Sequence, residues 1–403
     1  MTPVILLLNP PPVFTDQTLT TFDATVLQWI PPQRGTYNRF THPLSERQFR
    51  WGRLEWSVHL IRFLTSIFSF ISIILIFKTS QKLFGTTSNL PYAISLFIGF
   101  HPKFIHRSAS IINLPLLTLA FSLFFYFALT RPPSYKTAFL LGLAAGLALV
   151  TKITGLNLGL FFLIYLLLFV RGWSNRIAQS LSFLTGGLLV SGWELVRNFL
   201  LYHDPLALNQ AFRIAADLHP GKVQPLFGGA PNYWFAVLET TFLTFWDGFG
   251  WEVTLVGWWF IYIALGLSVL ALVSFWRVLS LSQPQLRRQL SFLVVCLAPF
   301  TANFIRINTQ FFTPQGKDFL PMIFPIATIF VLGLKRWWPK ELKLIPTTLL
   351  LFVAGVLLLL LVVVPTTLGD QNISPQIYQQ SLTADPIKQF LVTLWRTRFL
   401  QSR

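Results

Sequence analysis

Apolar runs recur along most of the chain, near 57–77, 90–104, 111–129, 137–151, 154–170, 179–196, 254–275, 290–305, 319–334 and 345–364. A helix rises about 1.5 Å per residue, so roughly 20 mostly apolar residues cross the hydrocarbon of a bilayer. The runs predict about ten transmembrane helices. Those at 90–104, 137–151 and 290–305 are short, which suits helices shielded by their neighbours. The last is the most uniform, with no polar residue from Leu349 to Val364. Pro91, Pro346 and Pro365 fall at or near span ends, where a missing N–H is tolerated. Two longer polar pieces remain, 197–253 and 365–403. Within the first, Tyr233, Trp234, Val237, Leu238, Phe242 and Phe245 recur at helical spacing. They predict an aromatic-rich helix over Pro231–Trp246, either lying in the membrane interface or packed within an outer cap.

Composition supports this reading. Of 403 residues, 53% are hydrophobic and 11% charged, with 41 Phe and 14 Trp. A soluble domain carries roughly 25% charged residues to cover its surface. The net charge of +17 does not point to nucleic acid, because the basic residues sit in short clusters between apolar runs. The single cysteine, Cys296, lies within an apolar run and excludes a disulfide within the chain.

Loop charge sets the orientation. The short loops after the first, third, fifth, seventh and ninth spans hold thirteen basic residues, from Lys78 to Lys343, against one acid, Glu341. The opposite short loops hold Lys103, Arg107, Lys152, Arg306 and Lys317. The first set is therefore cytoplasmic. All other acids, Glu194 included, fall on the outer side. The chain divides into an N-terminal segment 1–56 (outer and interfacial), a transmembrane domain 57–364 with the outer loop 197–253, and a C-terminal tail 365–403. Arg34, Arg39, Arg47, Arg50 and Arg53 sit poorly on an outer segment. Either the topology is inverted or a further span precedes this chain, and the second is the expectation.

Charges at membrane depth are costly, so each requires a partner or a function. Four places carry them: His101-Pro102-Lys103 through His106-Arg107-Ser108; Lys152, between two apolar helices; Trp193-Glu194 through Arg197-Asn198, followed by His203-Asp204-Pro205; and Pro314-Gln315-Gly316-Lys317-Asp318. In this topology all four open on the outer face. Lys103, Arg107, Lys152, Arg197, Arg306 and Lys317 then ring one site, and convergent cations at a lipid surface suit a phosphate head group. Taken singly, each also fits a side chain snorkelling to the interface. Glu194 and Arg197 are three apart and can pair along one helix face. Gly142 and Gly146 form a small-xxx-small step for close helix packing. No metal-ligand spacing, P-loop, GxGxxG or nucleophile elbow occurs.

In order, these places resemble motifs of the lipid-linked sugar transferases of the GT-C class, among them bacterial relatives of protein O-mannosyltransferases and lipid A aminoarabinose transferases. The likeness runs from residue 57 to about 340. It comprises the proline turn from Phe100-His101-Pro102 to Ser108-Ala109-Ser110 and the helix end Gly146-Leu147-Ala148-Leu149-Val150-Thr151-Lys152. Trp193, Arg197, Asn198, Asp204 and Pro205 follow, then Gln315-Gly316-Lys317-Asp318 with Pro321 and Pro325. The resemblance implies an all-α, polytopic GT-C-like helical bundle in a bacterial plasma membrane. It further implies transfer of a sugar from a polyprenyl-phosphate donor at the outer face, with Lys103, Arg107, Lys152, Arg197 and Lys317 holding the lipid phosphate.

In such families an acid of the first outer loop serves as base or binds a metal. Asp16 and Asp23 lie in that region without matching context, and Asn113-Leu114-Pro115 supplies no second acid. A divalent metal is compatible with the chemistry and indicated by no motif. Lys317-Asp318 stands where the pattern has Arg-Tyr. Two other readings remain open: a non-catalytic remnant or lipid-binding partner of such an enzyme, and a transporter or flippase of a lipid-linked anionic solute. No internal repeat speaks for the last.

Overall fold

Proline opens several of the helices, because its fixed φ suits the first turn and its missing N–H is an orphan there in any case. Pro91 begins α2 (Leu90–Gly99), Pro102 begins α3 (Pro102–Ser108) and Pro115 begins α4 (Leu114–Thr130). Ahead of them runs α1 (Arg53–Phe84). The computed structural model describes residues 53–214, 229–246 and 258–335, with Pro220 and Trp337. Asp16, Asp23, the 345–364 span and the 365–403 tail lie outside the described residues.

Ser134 caps α5 (Tyr135–Thr151) by accepting from the Thr137 backbone N–H. At Lys152 the backbone turns extended and α5 stops. A short 3-10 turn (Ile153–Leu156) re-aims the chain into α6 (Asn157–Phe169). α7 (Trp173–Tyr202) and α8 (Leu208–Ile214) follow, then α9 (Ala230–Trp246), α10 (Trp258–Leu281) and α11 (Pro284–Asn308). A second 3-10 turn (Gly316–Met322) leads into α12 (Ile323–Lys335). No strand occurs among the described residues. The chain is an all-α polytopic membrane protein.

Every span expected between 57 and 334 carries a helix, with two differences in extent. The 90–104 run breaks after Gly99 and restarts as α3, because Pro102 cannot continue the ladder. The outer loop expected from 197 starts later, since α7 continues to Tyr202 and ends on His203 in the left-handed region. Among the described residues, four helices can cross a membrane by length and composition: His59–Phe84, Phe260–Leu281, Pro284–Asn308 and Gly316–Lys335. The apolar stretches Leu90–Gly99, Leu114–Thr130, Tyr135–Thr151 and Ile153–Phe169 are only 10–17 residues long. Their maximum of about 26 Å falls short of a hydrocarbon core of roughly 30 Å.

The core is aromatic. Phe121 of α4 meets Phe161 of α6 and Phe300 of α11 edge-on, with ring centroids 5.9 and 6.0 Å apart. Phe125 meets Phe292 and Phe324 similarly. All these rings are at most 3% exposed.

α5 and α7 pack backbone to backbone, as the small-xxx-small step at Gly142 and Gly146 predicts. A Cβ at Gly142 would lie 2.1 Å from the Phe183 carbonyl oxygen, and one at Gly146 2.5 Å from that of Gly187. Gly186 meets the Phe139 carbonyl equally closely, and Ser182 donates to that of Tyr135. Paired numbers rise together, so the two helices run parallel. The same register carried forward sets Arg197 level with the junction at Lys152 and Ile153.

The helix over 230–246 forms as the aromatic spacing predicts. Tyr233 and Val237 are buried, as are Phe245 and Trp246 at its end, while Phe235 and Leu238 are exposed. Tyr233 donates its hydroxyl to the Asn308 carbonyl at the end of α11. The helix packs one stripe on the bundle and leaves a second apolar stripe, with Phe235 and Leu238, exposed.

Candidate functional site

The start of α4, the end of α5, α3, the end of α9 and the second 3-10 turn meet at one end of the bundle. Asn113 Nδ2 donates to the Thr151 carbonyl at 3.1 Å, tying the start of α4 to the end of α5. Ser66 of α1 donates to the Ser108 carbonyl at the end of α3. Gly316 is wedged against α9: a Cβ there would lie 2.2 Å from the Phe245 nitrogen and from the Thr241 oxygen. Its own N–H donates to Thr244 Oγ1 at 2.7 Å. Only glycine permits that approach, and the contact fixes where Lys317 and Asp318 stand.

α3 presents the first set of charges. Lys103 and His101 are fully buried. The His101 ring lies among Phe245, Trp246 and Phe97, at centroid distances of 4.7, 5.4 and 5.9 Å. Neither of its nitrogens has a hydrogen-bond partner among the described residues. His106 reports on the cations around it. Burial first, then the charges of Arg107, Lys103 and Lys317, push its pKa down to about 4. α3 packs against the second 3-10 turn, so Lys103, Arg107 and Lys317 stand on adjoining elements.

Lys152 stands otherwise. Its Nζ lies 2.6 Å from Asp318 Oδ1, with the two side chains 30% and 20% exposed. That is a short, charge-assisted pair. Asp318 follows Lys317 directly, so the pair borders the α3 cluster. Arg197 is not joined to this cluster by any described contact. It lies 3.9 Å from Glu194, the helix-face pairing its spacing predicts, and 3.4 Å from Asn198 Oδ1. Only the register of α5 and α7 brings it level with Lys152. Arg306 is exposed and turns to Asn303.

Asp204 has a structural task. Its carboxylate accepts from the Leu206 and Asn209 backbone N–H groups and fixes the turn after His203 into α8. The Asn209 bond leads in holding its pKa below the usual carboxylate range. Asn198 Nδ2 donates to the Pro205 carbonyl, so the Asn and Asp-Pro of that motif brace one corner.

The pairing of Asp318 with Lys152 is the feature sequence reading missed. One signal was present: no acid occurs between Glu55 and Glu194, so a partner for Lys152 has to come from a distant segment. Among the described residues, no group of three or more His, Cys, Asp or Glu could hold a metal ion.

Residues 52–192 match the family model of the dolichyl-phosphate-mannose-protein mannosyltransferases. The match supports a GT-C type membrane glycosyltransferase. It covers α1 to α6 and most of α7, and so takes in Lys103, Arg107 and Lys152. Arg197 and the Lys317–Asp318 turn lie beyond it. No curated protein and no solved structure matches the chain.

Proposed function

We propose that this GT-C type protein transfers a sugar from a polyprenyl-phosphate donor to an acceptor at the outer face of the membrane. One observation carries the reading: α3, bearing Lys103 and Arg107, packs against the second 3-10 turn, bearing Lys317, and the Lys152–Asp318 pair ties that turn to the end of α5, at the end of the bundle that loop charge assigns to the outside. Such a site suits the bond that breaks. The acceptor oxygen attacks the anomeric carbon, and the bond from that carbon to the phosphate oxygen cleaves. Its electron pair departs with the lipid phosphate. Charge grows on the phosphate as the sugar leaves, so fixed cations stabilise the transition state more than the ground state. Lys103 is fully buried on a proline-started helix, so it acts on the phosphate through its field. The register that sets Arg197 level with Lys152 supports a role for it at the same phosphate once it leaves Glu194. The acceptor proton passes to a carboxylate base, for which Asp16 and Asp23 are the N-terminal candidates.

The test is release of polyprenyl phosphate from a labelled polyprenyl-phosphate sugar by the full chain in lipid nanodiscs. Arg107→Ala, Lys152→Ala and Arg197→Ala should each cut transfer at least about a hundredfold, whereas Arg306→Ala should leave it intact. Full transfer by all three site variants would refute the phosphate site. Binding of the donor without turnover would point to a lipid-binding partner. Movement of intact donor across vesicles would point to a transporter.

A further inference from the structure

The Lys152–Asp318 pair places a carboxylate beside Lys317, at the margin of the site that also carries Lys103 and Arg107. If the cations only had to hold phosphate, this acid would be a handicap. It competes for Lys152 and repels the ligand. Its value appears when the phosphate is followed through the reaction on which the proposed function rests. A sugar donor of this class is a phosphodiester with one negative charge. After transfer the lipid carries a phosphomonoester, whose second pKa near 6 gives it about −1.5 to −2 charges at neutral pH. A purely cationic site therefore holds its product more tightly than its substrate.

We infer that Asp318 is the residue that expels the product: its carboxylate, held beside the phosphate by its pairing with Lys152, repels the doubly charged lipid monophosphate more than the singly charged donor. The geometry suits that repulsion. The pair is short, yet both partners keep access to solvent, so neither ion is locked in the core. Asp318 sits on a turn whose preceding glycine is clamped to α9, so it stays at the cluster margin. One additional charge about 6 Å from a carboxylate, at an effective dielectric constant of about 40, weakens binding about tenfold. That is the size of the discrimination expected. The side chain acts through Lys152 and the local field, so it is a positioning residue for the release step.

The experiment measures affinity of the full chain in nanodiscs for three short-chain probes: a polyprenyl monophosphate, its methyl phosphodiester and the uncharged polyprenol. Asp318→Asn should tighten the diester by up to about tenfold and the monophosphate about tenfold more than the diester. Asp318→Glu should restore the wild-type ratio. In turnover, Asp318→Asn should lower KM for donor and also lower kcat, with a burst of first product. A structural role predicts neither the burst nor the changed ratio. If leaving Lys152 unpaired unfolds Asp318→Asn, the comparison moves to Lys152→Met against Lys152→Met/Asp318→Asn. There the double variant should again gain monophosphate affinity. An unchanged or weaker monophosphate affinity on losing Asp318, in either background, overturns the inference while leaving the donor chemistry standing. Wild-type chain that binds neither phosphate better than the polyprenol refutes the donor chemistry and this inference with it.

Discussion

The parallel contact of α5 and α7 gives the sharpest stability prediction, because its sign depends on one distance. A methyl group at position 142 would sit 2.1 Å from the Phe183 carbonyl oxygen. An ordinary carbon–oxygen contact lies at about 3.3 Å or more. The opposing atom is backbone, so no rotamer change relieves the clash and the helices must part by about 1 Å. Parting by that much also weakens the contacts of Gly146 and Gly186 on the same face. Overpacking of this kind costs about 1–3 kcal/mol. Alanine returns up to about 1 kcal/mol through its better helix propensity. Gly142→Ala should therefore destabilise by about 1–2 kcal/mol. Gly159 in α6 and Gly266 in α10 are the controls, since nothing lies within 4 Å of a Cβ built at either. There alanine should stabilise by about 0.5–1 kcal/mol. The assay is tryptophan-monitored unfolding in detergent for the three variants side by side. A Gly142→Ala chain that shifts in the same direction as Gly159→Ala would show that α5 and α7 do not meet as described.

Three further outcomes follow. Thr244→Val removes the acceptor for the buried Gly316 N–H, which should cost about 1–3 kcal/mol in the same unfolding assay and reduce donor affinity by moving Lys317. Asp204→Ala removes both caps of the 204–209 turn, so limited proteolysis should cut there faster while cleavage elsewhere is unchanged. His106 has a folded pKa of about 4, below its ordinary 6.5, and so remains neutral while the unfolded chain takes up its proton. Its contribution is fully present above about pH 6.5 and is lost as pH falls toward 4, at most about 3 kcal/mol. His106→Gln should flatten the pH dependence of unfolding across that window, and an unchanged profile would exclude the cations from its surroundings.

The helices were legible because apolar runs of this length can exist only inside a membrane or a large core, and 11% charge excludes the second. The Gly142–Gly146 step and the Glu194–Arg197 pair were legible for a related reason: both depend on spacing within one helix. The parallel register of α5 and α7 was not, since it takes two helices distant in sequence. The same limit applies to α2. Its run of apolar residues continues past Gly99, and only the proline at 102 hints that the chain restarts as a separate short helix bearing Lys103, His106 and Arg107.

Asp318 shows where a comparison of motifs loses information. Set beside the family pattern, Lys317-Asp318 is a departure, because an acid stands where an aromatic side chain is expected. Set beside its neighbours, it is the partner of Lys152, the cation between two apolar helices. Lys152 cannot find an acid anywhere from Glu55 to Glu194, and an unpaired ammonium at that depth is costly. Replacing the aromatic residue by an acid meets that cost when no lipid phosphate is present. The same carboxylate then opposes the phosphate whenever it arrives, and most strongly when the phosphate has just gained its second charge. A residue that reads as damage to a binding motif can therefore set the balance between holding a substrate and releasing its product.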